Sequence, residues 1–169
     1  MAVTKSDATA ESIMKLSNIM RYVTDESKEN FVMLEDEIDC LRDYIDLQRI
    51  RLGAKTKVDF KIVGEPASGK VVPLLFMTFV ENAFKYGTSN HQDSMIEIFL
   101  EINSQGIHFT CKNSLLHKNG SAESTGIGIQ NARQRLASLY PLSHKLHISE
   151  TDDHFIVELK LLTPHTKKI

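Results

Sequence analysis

The segment Glu81-Asn82-Ala83-Phe84-Lys85-Tyr86-Gly87 holds the residue types in this chain best suited to chemistry. On a helix, side chains three and four positions apart are neighbours, so Asn82, Lys85 and Tyr86 would share one edge. An asparagine inside an apolar helix costs about 1–3 kcal/mol if its amide goes unused. Used, that edge offers a hard carbonyl oxygen, a cation and an aromatic face, a set that suits Mg²⁺ and a nucleotide. Glu81 stands beside them, where a carboxylate could orient or deprotonate a nucleophile. The plainer alternative is the polar end of a surface helix, which the same residues would also make.

A second candidate is Thr125-Gly126-Ile127-Gly128-Ile129-Gln130-Asn131, leading into a helix. Glycines ahead of a helix N-terminus let backbone N–H groups approach phosphate oxygens, and the helix dipole favours the negative charge. The motif is not the dinucleotide fingerprint, because Asn131 holds the third glycine position and no strand leads directly into it. Arg133 and Arg135 come next on the helix, where they could simply face solvent. A third segment, Gly64-Glu65-Pro66-Ala67-Ser68-Gly69-Lys70, has the spacing of a P-loop but not its chemistry. Val71 stands where a hydroxyl would hold Mg²⁺, and Pro66 removes one backbone donor. Pro73 biases Val72 towards extended geometry, so no helix starts directly after Lys70. The segment reads as a strand-to-helix loop.

The elements that must position these residues are legible from periodicity. Ile13, Leu16, Met20 and Val23 recur at steps of three and four, predicting a helix over 10–23 with one apolar face. After a polar break, Leu34, Ile38, Leu41 and Ile45 form a heptad-like stripe suited to packing against another helix, in the same domain or in a dimer. Gly53 is expected to end that helix. Val58, Phe60 and Ile62 then alternate with polar residues, the period of a half-buried strand. Pro73 can open a helix, and 74–86 reads as a mostly buried one. Strands are predicted at 95–102 and 107–111, a polar flexible loop at 115–125, an amphipathic helix at 127–139, and closing strands at 146–149 and 155–161. The expected fold is α+β: a helical arm over 1–53, then over 54–169 a two-layer sandwich with helices on one face of a mixed sheet.

Composition narrows the function. The chain has 169 residues, with 20 Lys+Arg against 22 Asp+Glu, a net charge of −2. That balance argues against a nucleic-acid partner, whose usual footprint is a basic face. The longest apolar run, Val71 to Val80, is too short to span a bilayer. No signal-peptide pattern opens the chain. Cys40 and Cys111 are far apart and without a partner motif, so neither a disulfide framework nor a zinc site is expected, and a reducing compartment is.

ENAFKYG, the strand ending in CKNS, and GIGIQNARQRLASLY resemble in combination the N, G1 and G2 boxes of the GHKL ATPase superfamily. Upstream, IMKLSNIMRYV, the Glu35-Asp36-Glu37 helix and YIDLQRIRLG resemble the segment that precedes the catalytic domain of LytS/YehU-type sensor histidine kinases. The resemblance covers about residues 10 to 162. It implies a Bergerat-type fold that binds ATP and Mg²⁺, with Asn82 as the metal ligand, Lys85 and Tyr86 lining the nucleotide, and Glu81 assisting the phosphoacceptor. It also implies a phosphate-covering lid at Thr125, Gly126, Ile127, Gly128, Ile129 and Asn131. Further implications are transfer of the γ-phosphoryl to a histidine and on to a response-regulator aspartate, homodimerisation through the arm, and a cytoplasmic domain belonging to an inner-membrane sensor.

Two departures qualify the resemblance. The family's G1 box is D-x-G-x-G. Ile107, Phe109 and Cys111 alternate on one face, so strand parity puts Asn113 at the aspartate's place, with Leu115 and His117 at the glycines. Asn113 can still accept the adenine amino hydrogen bond, without the charge. Secondly, all seven histidines lie after residue 90, whereas the family's acceptor sits on a helix upstream of the matching segment. The chain therefore reads as the catalytic end of a longer receptor. The alternative reading is a non-catalytic interaction module of the same fold with a decayed pocket.

Overall fold

The computed structural model describes residues 3–25, 28–66, 69–116 and 127–162. They fall into two compact units, Met1–Leu52 with Ala67–Leu75, and Gly53–Pro66 with Phe76–Ile169. Among the described residues no helix is long and apolar enough to cross a membrane.

The first unit contains helix α1 (Val3–Asp25), the short strand β1 (Val32–Met33), helix α2 (Leu34–Arg51) and the short strand β3 (Lys70–Val71). Strands β1 and β3 pair antiparallel, Val32 with Val71 and Met33 with Lys70. The stripe of α2 is the unit's core: Leu34, Ile38, Leu41 and Ile45 are each at most 1% exposed. Glu35, Asp36 and Glu37 in its first turn and Arg49 and Arg51 in its last complement the helix dipole. Helices α1 and α2 run antiparallel, joined by Lys15 Nζ to Asp46 Oδ2 at 2.6 Å, Asn18 Nδ2 to Asp43 Oδ2 at 3.0 Å, and the Tyr22 hydroxyl to Glu37. The apolar stripe expected on α1 behaves differently from that of α2. Ile13, Leu16, Met20 and Val23 are between 42 and 63% exposed.

Two boundaries differ from expectation for local reasons. Gly53 does not cap α2. The helix stops at Arg51, and Leu52 is already extended (φ −76°, ψ 140°), its N–H reaching Arg49 O at 3.3 Å. Gly53 instead makes room for Asn90, whose Oδ1 would lie 3.1 Å from an added Cβ. At the next helix, α3 (Leu75–Gly87), Leu74 stays outside because its φ is +58°. Pro73-Leu74 forms a turn, and Leu74 fills the left-handed position that turns of this kind usually give to glycine.

The second unit contains β2 (Thr56–Val63), α3 from Phe76 onwards, β4 (Ser94–Asn103), β5 (Gly106–Ser114), α4 (Ile127–Leu139), β6 (His144–Glu150) and β7 (His154–Leu162). The sheet order is β2-β4-β5-β7-β6, with β2 and β4 parallel and every other pair antiparallel. This is the mixed sheet and two-layer α+β sandwich that the periodicity implies. Phe76 and Phe79 of α3 stack on Phe109 of β5 at ring-centroid distances of 4.9 and 6.1 Å. Val80, Ile96, Ile98, Leu100, Leu136 and Leu159 complete the core. The opposite sheet face is polar, with Lys112 and Glu97 paired at 2.9 Å. Both thiols are buried, which pushes each up to about 12 and keeps it protonated. The P-loop look-alike dissolves: Gly64, at φ +94°, turns the chain against Ile102, and Lys70 enters β3 instead of a helix.

Leu74 supplies a stability test. A left-handed non-glycine residue stores about 1–3 kcal/mol of strain, more when it is branched at Cβ. Leu74→Ile should therefore lower the denaturant midpoint clearly, whereas Leu74→Gly should lie close to the parent despite losing its side chain. Equal losses in both variants would contradict a strained Leu74.

Candidate functional site

Asn82 lies two turns into α3 and is half-buried. Its Nδ2 donates to the Thr78 carbonyl at 2.6 Å. A carbonyl can only accept, so this contact fixes the orientation of the amide and leaves Oδ1 as its unspent acceptor. No described residue hydrogen-bonds that oxygen. Helix α4 begins close by: a Cβ added at Gly128 would lie 3.7 Å from Asn82 Nδ2 and 3.6 Å from Thr78 Cγ2. The second glycine of TGIGIQN is thus brought against the asparagine of ENAFKYG.

The other expected residues sit around this pair. Glu81 and Lys85 are exposed and Tyr86 is half-buried, with Lys85 Nζ 5.1 Å from the Tyr86 ring centroid. Contact of a cation with an aromatic face contributes about 0.5–1 kcal/mol at an exposed site, so it orients Lys85 without immobilising it. Ile127 and Asn131 are exposed and Ile129 is half-buried. Thr125 and Gly126 lie outside the described residues, as do His117 and most of the expected loop at 115–125.

Asn113 falls where strand parity puts it, on the core face of β5 and 2% exposed. Its Nδ2 donates to Ser114 O at 3.0 Å. As with Asn82, the amide hydrogens are used inside the chain and Oδ1 has no partner among the described residues. Gly87, the last residue of α3, lies against it: an added Cβ would be 2.6 Å from Asn113 Cβ. One glycine therefore lets the end of α3 approach the strand that carries Asn113.

Sequence reasoning missed Gly87's role, and the signal was present, since a small residue closed the motif. It also missed the fastening of the loop after α3. Thr56 Oγ1 donates to Ser89 O at 3.1 Å and accepts from Ser89 N at 3.1 Å, and it lies 2.8 Å from Ser94 Oγ. At the start of the next loop, the Leu115 N–H donates to Asp153 O at 2.7 Å. That donor is thereby occupied at a position where the GHKL pattern has a glycine. A separate notch of about 190 Å³, lined by Glu101, Asn103, His108 and Lys160 among others, lies at the opposite end of β5 from Asn113.

The fold is that of histidine kinase catalytic domains. The catalytic domain of histidine kinase ThkA superposes with a TM-score of 0.59 at 13% identity, covering 80% of this chain and 100% of that one. The histidine kinase domain of the Erythrobacter litoralis EL346 blue-light activated kinase gives 0.57 at 12% identity, covering 90% of this chain and 73% of that one. Residues 1–56 match the family model described as histidine kinase. More particularly, the chain is similar to the sensor histidine kinase/phosphatase LytS of Staphylococcus aureus, at 24% identity over 160 residues and 86% of this chain. The match covers 27% of LytS, so the chain spans about a quarter of that relative's length.

The Gly87 contact is testable. A Cβ clash with another Cβ cannot be relieved by a rotamer change, so Gly87→Ala should destabilise the chain by about 1–3 kcal/mol in denaturant unfolding. Replacing Asn113 by Gly in the same chain should recover part of that loss. Strictly additive effects of the two substitutions would show that they do not meet.

Proposed function

We propose that this chain is the ATP-binding catalytic portion of a two-component sensor histidine kinase. The observation that carries the reading is the oriented amide of Asn82, whose Oδ1 is left available beside the first turn of α4. Mg²⁺ is commonly held by one or two protein oxygens together with substrate phosphates, and an amide oxygen on a rigid helix suits that role. Bound there, the ion would neutralise phosphate charge. Asn113 Oδ1 would accept from the adenine amino group, and Tyr86 and Lys85 would line the nucleotide. Thr125, Gly126, Ile127, Gly128, Ile129 and Asn131 would cover its phosphates. Glu81, exposed next to Asn82, would orient an incoming imidazole or take its proton.

In the proposed reaction the γ-phosphoryl leaves ADP and bonds to a ring nitrogen of a histidine that is not on the arm. It then passes to an aspartate of a response-regulator receiver domain. Catalysis of this kind is chiefly positioning and charge stabilisation. The exposed stripe Ile13, Leu16, Met20 and Val23 supports a homodimer formed through α1, since a row of apolar side chains is suited to a partner helix. The reading puts the chain on the cytoplasmic side of a membrane sensor.

One observation favours a second reading, an interaction module with a decayed pocket. Asn113 lacks the family's charge, and the Leu115 N–H is taken by Asp153. Calorimetry separates the two. The proposed kinase portion should bind ATP more tightly with Mg²⁺ than with chelator, and Asn82→Ala should remove that difference. A tenfold difference corresponds to about 1.4 kcal/mol, well within range of the measurement. No binding at millimolar ATP would favour the module.

A second expectation concerns transfer. The acceptor must be held in line at near-attack distance, and α1 and α2 carry no histidine. Incubated alone with Mg·ATP, the chain should acquire no acid-labile phosphate. A longer chain that includes the family's histidine-bearing helix should be labelled. Labelling of the present chain would make one of its own downstream histidines the acceptor.

A further inference from the structure

Glu37 is the one charged side chain among the described residues that is fully buried, 1% exposed on the first turn of α2. Burying a carboxylate is expensive unless its oxygens are used. Here Oε2 accepts from the Tyr22 hydroxyl of α1 and from the Leu74 backbone N–H at 2.8 Å. Leu74 immediately precedes α3. The first N–H groups at a helix start lack partners within the helix, and the dipole there favours a negative charge. The Glu37 carboxylate meets both needs from another element. It also holds the turn in which Leu74 keeps its left-handed φ of +58°.

From these contacts we infer that Glu37 is a positioning residue for Asn82. Helix α3 is continuous from Leu75 to Gly87, and Asn82 lies seven residues after Leu75, about two turns. The hydrogen bond to Leu74 holds the backbone at the point where that helix begins. A continuous helix carries a constraint at its start on to Asn82. Glu37 touches neither nucleotide nor metal and acts through the helix. Tyr22 serves as the second anchor that keeps the carboxylate aimed at Leu74.

The inference rests on the proposal that Asn82 holds Mg²⁺, so the experiment must tell the two apart. The measured quantity is the ratio of ATP affinity with Mg²⁺ to that with chelator, in the parent chain, Asn82→Ala, Glu37→Ala, Glu37→Gln and Asp46→Asn. Asp46 pairs with Lys15 on the same arm, away from Leu74, so its variant weakens the arm without touching α3. Glu37→Ala should lose most of the Mg²⁺-dependent gain. Glu37→Gln, which keeps an acceptor oxygen, should retain part of it. Asp46→Asn should keep it all. Amide exchange in the first turn of α3 should quicken about tenfold in Glu37→Gln and stay unchanged in Asp46→Asn. If Glu37→Ala does not fold, Glu37→Gln decides by the same two readouts.

A folded Glu37 variant with the full Mg²⁺-dependent gain, beside an Asn82→Ala that loses it, would overturn the positioning role and leave the proposed function standing. Equal loss in the Glu37 and Asp46 variants would likewise reduce Glu37 to a structural part of the arm. If the parent and Asn82→Ala show the same ratio, the proposed metal site fails first and the positioning role falls with it.

Discussion

The stacking of α3 on β5 is the contact on which the sandwich depends. Phe76 and Phe79 cover Phe109, and the fit at the far end of the helix is set by Gly87 against Asn113. A helix with its apolar face committed in this way has only its outer edge left for polar residues. Asn82 is therefore held half-buried by geometry, and it satisfies its amide hydrogens within its own helix through the Thr78 carbonyl. The crossover from β2 through α3 to the parallel strand β4 places the helix against the sheet's middle strands, where the core is deepest. The Thr56 hydroxyl, bonded to the Ser89 backbone and the Ser94 hydroxyl, and the pairing of β5 with β7 keep that contact in place.

Asn82 and Asn113 share one chemical device. Each directs its Nδ2 to a nearby backbone carbonyl, and in each the oxygen is left over. An asparagine so constrained behaves as a one-sided acceptor, which distinguishes it from a freely flipping surface amide. Substituting aspartate at either position would introduce charge but would set a carboxylate oxygen against the carbonyl that now accepts the amide. The neutral residue at 113 is in that sense adapted to its neighbour Ser114 O.

Most of the sheet is legible in the sequence because each strand alternates cleanly. Ile96, Ile98 and Leu100 point one way, as do Ile107, Phe109 and Cys111, and the same parity locates Asn113 correctly on the core face. The helix over 127–139 is legible to the residue, since its start is marked by glycines. The end of α2 and the start of α3 are not. Gly53 carries the residue type of a cap, yet the chain leaves α2 in extended form, because spacing reports periodicity and not the dihedral of one residue. Leu74 misleads in the opposite direction: nothing in a leucine advertises a left-handed turn, and only Glu37, 37 positions earlier, explains why it is held there. The stripe on α1 is legible as apolar but not as exposed, since a pattern names a face without naming what covers it. At the site, the pairing of Asn82 with Gly128 can be inferred from the motifs together, whereas Gly87's contact with Asn113 needs the register of β5.

The path of the chain has a bearing on how far the two units are separable pieces. The backbone leaves the helical unit after Leu52, returns to it at Ala67, and leaves again after Leu75. The returning stretch supplies β3, accepts the Leu34 N–H at Gly69 O, and buries Val71 and Val72 completely. A polypeptide begun at Gly53 would keep this stretch but lose Val32, Leu34 and Glu37, baring two valines and a short strand edge to solvent. Modularity here tracks the fold and not the order of the sequence. Swapping everything before one breakpoint between related chains would cut through the core of the helical unit, so the exchangeable block must include residues from both sides of β2.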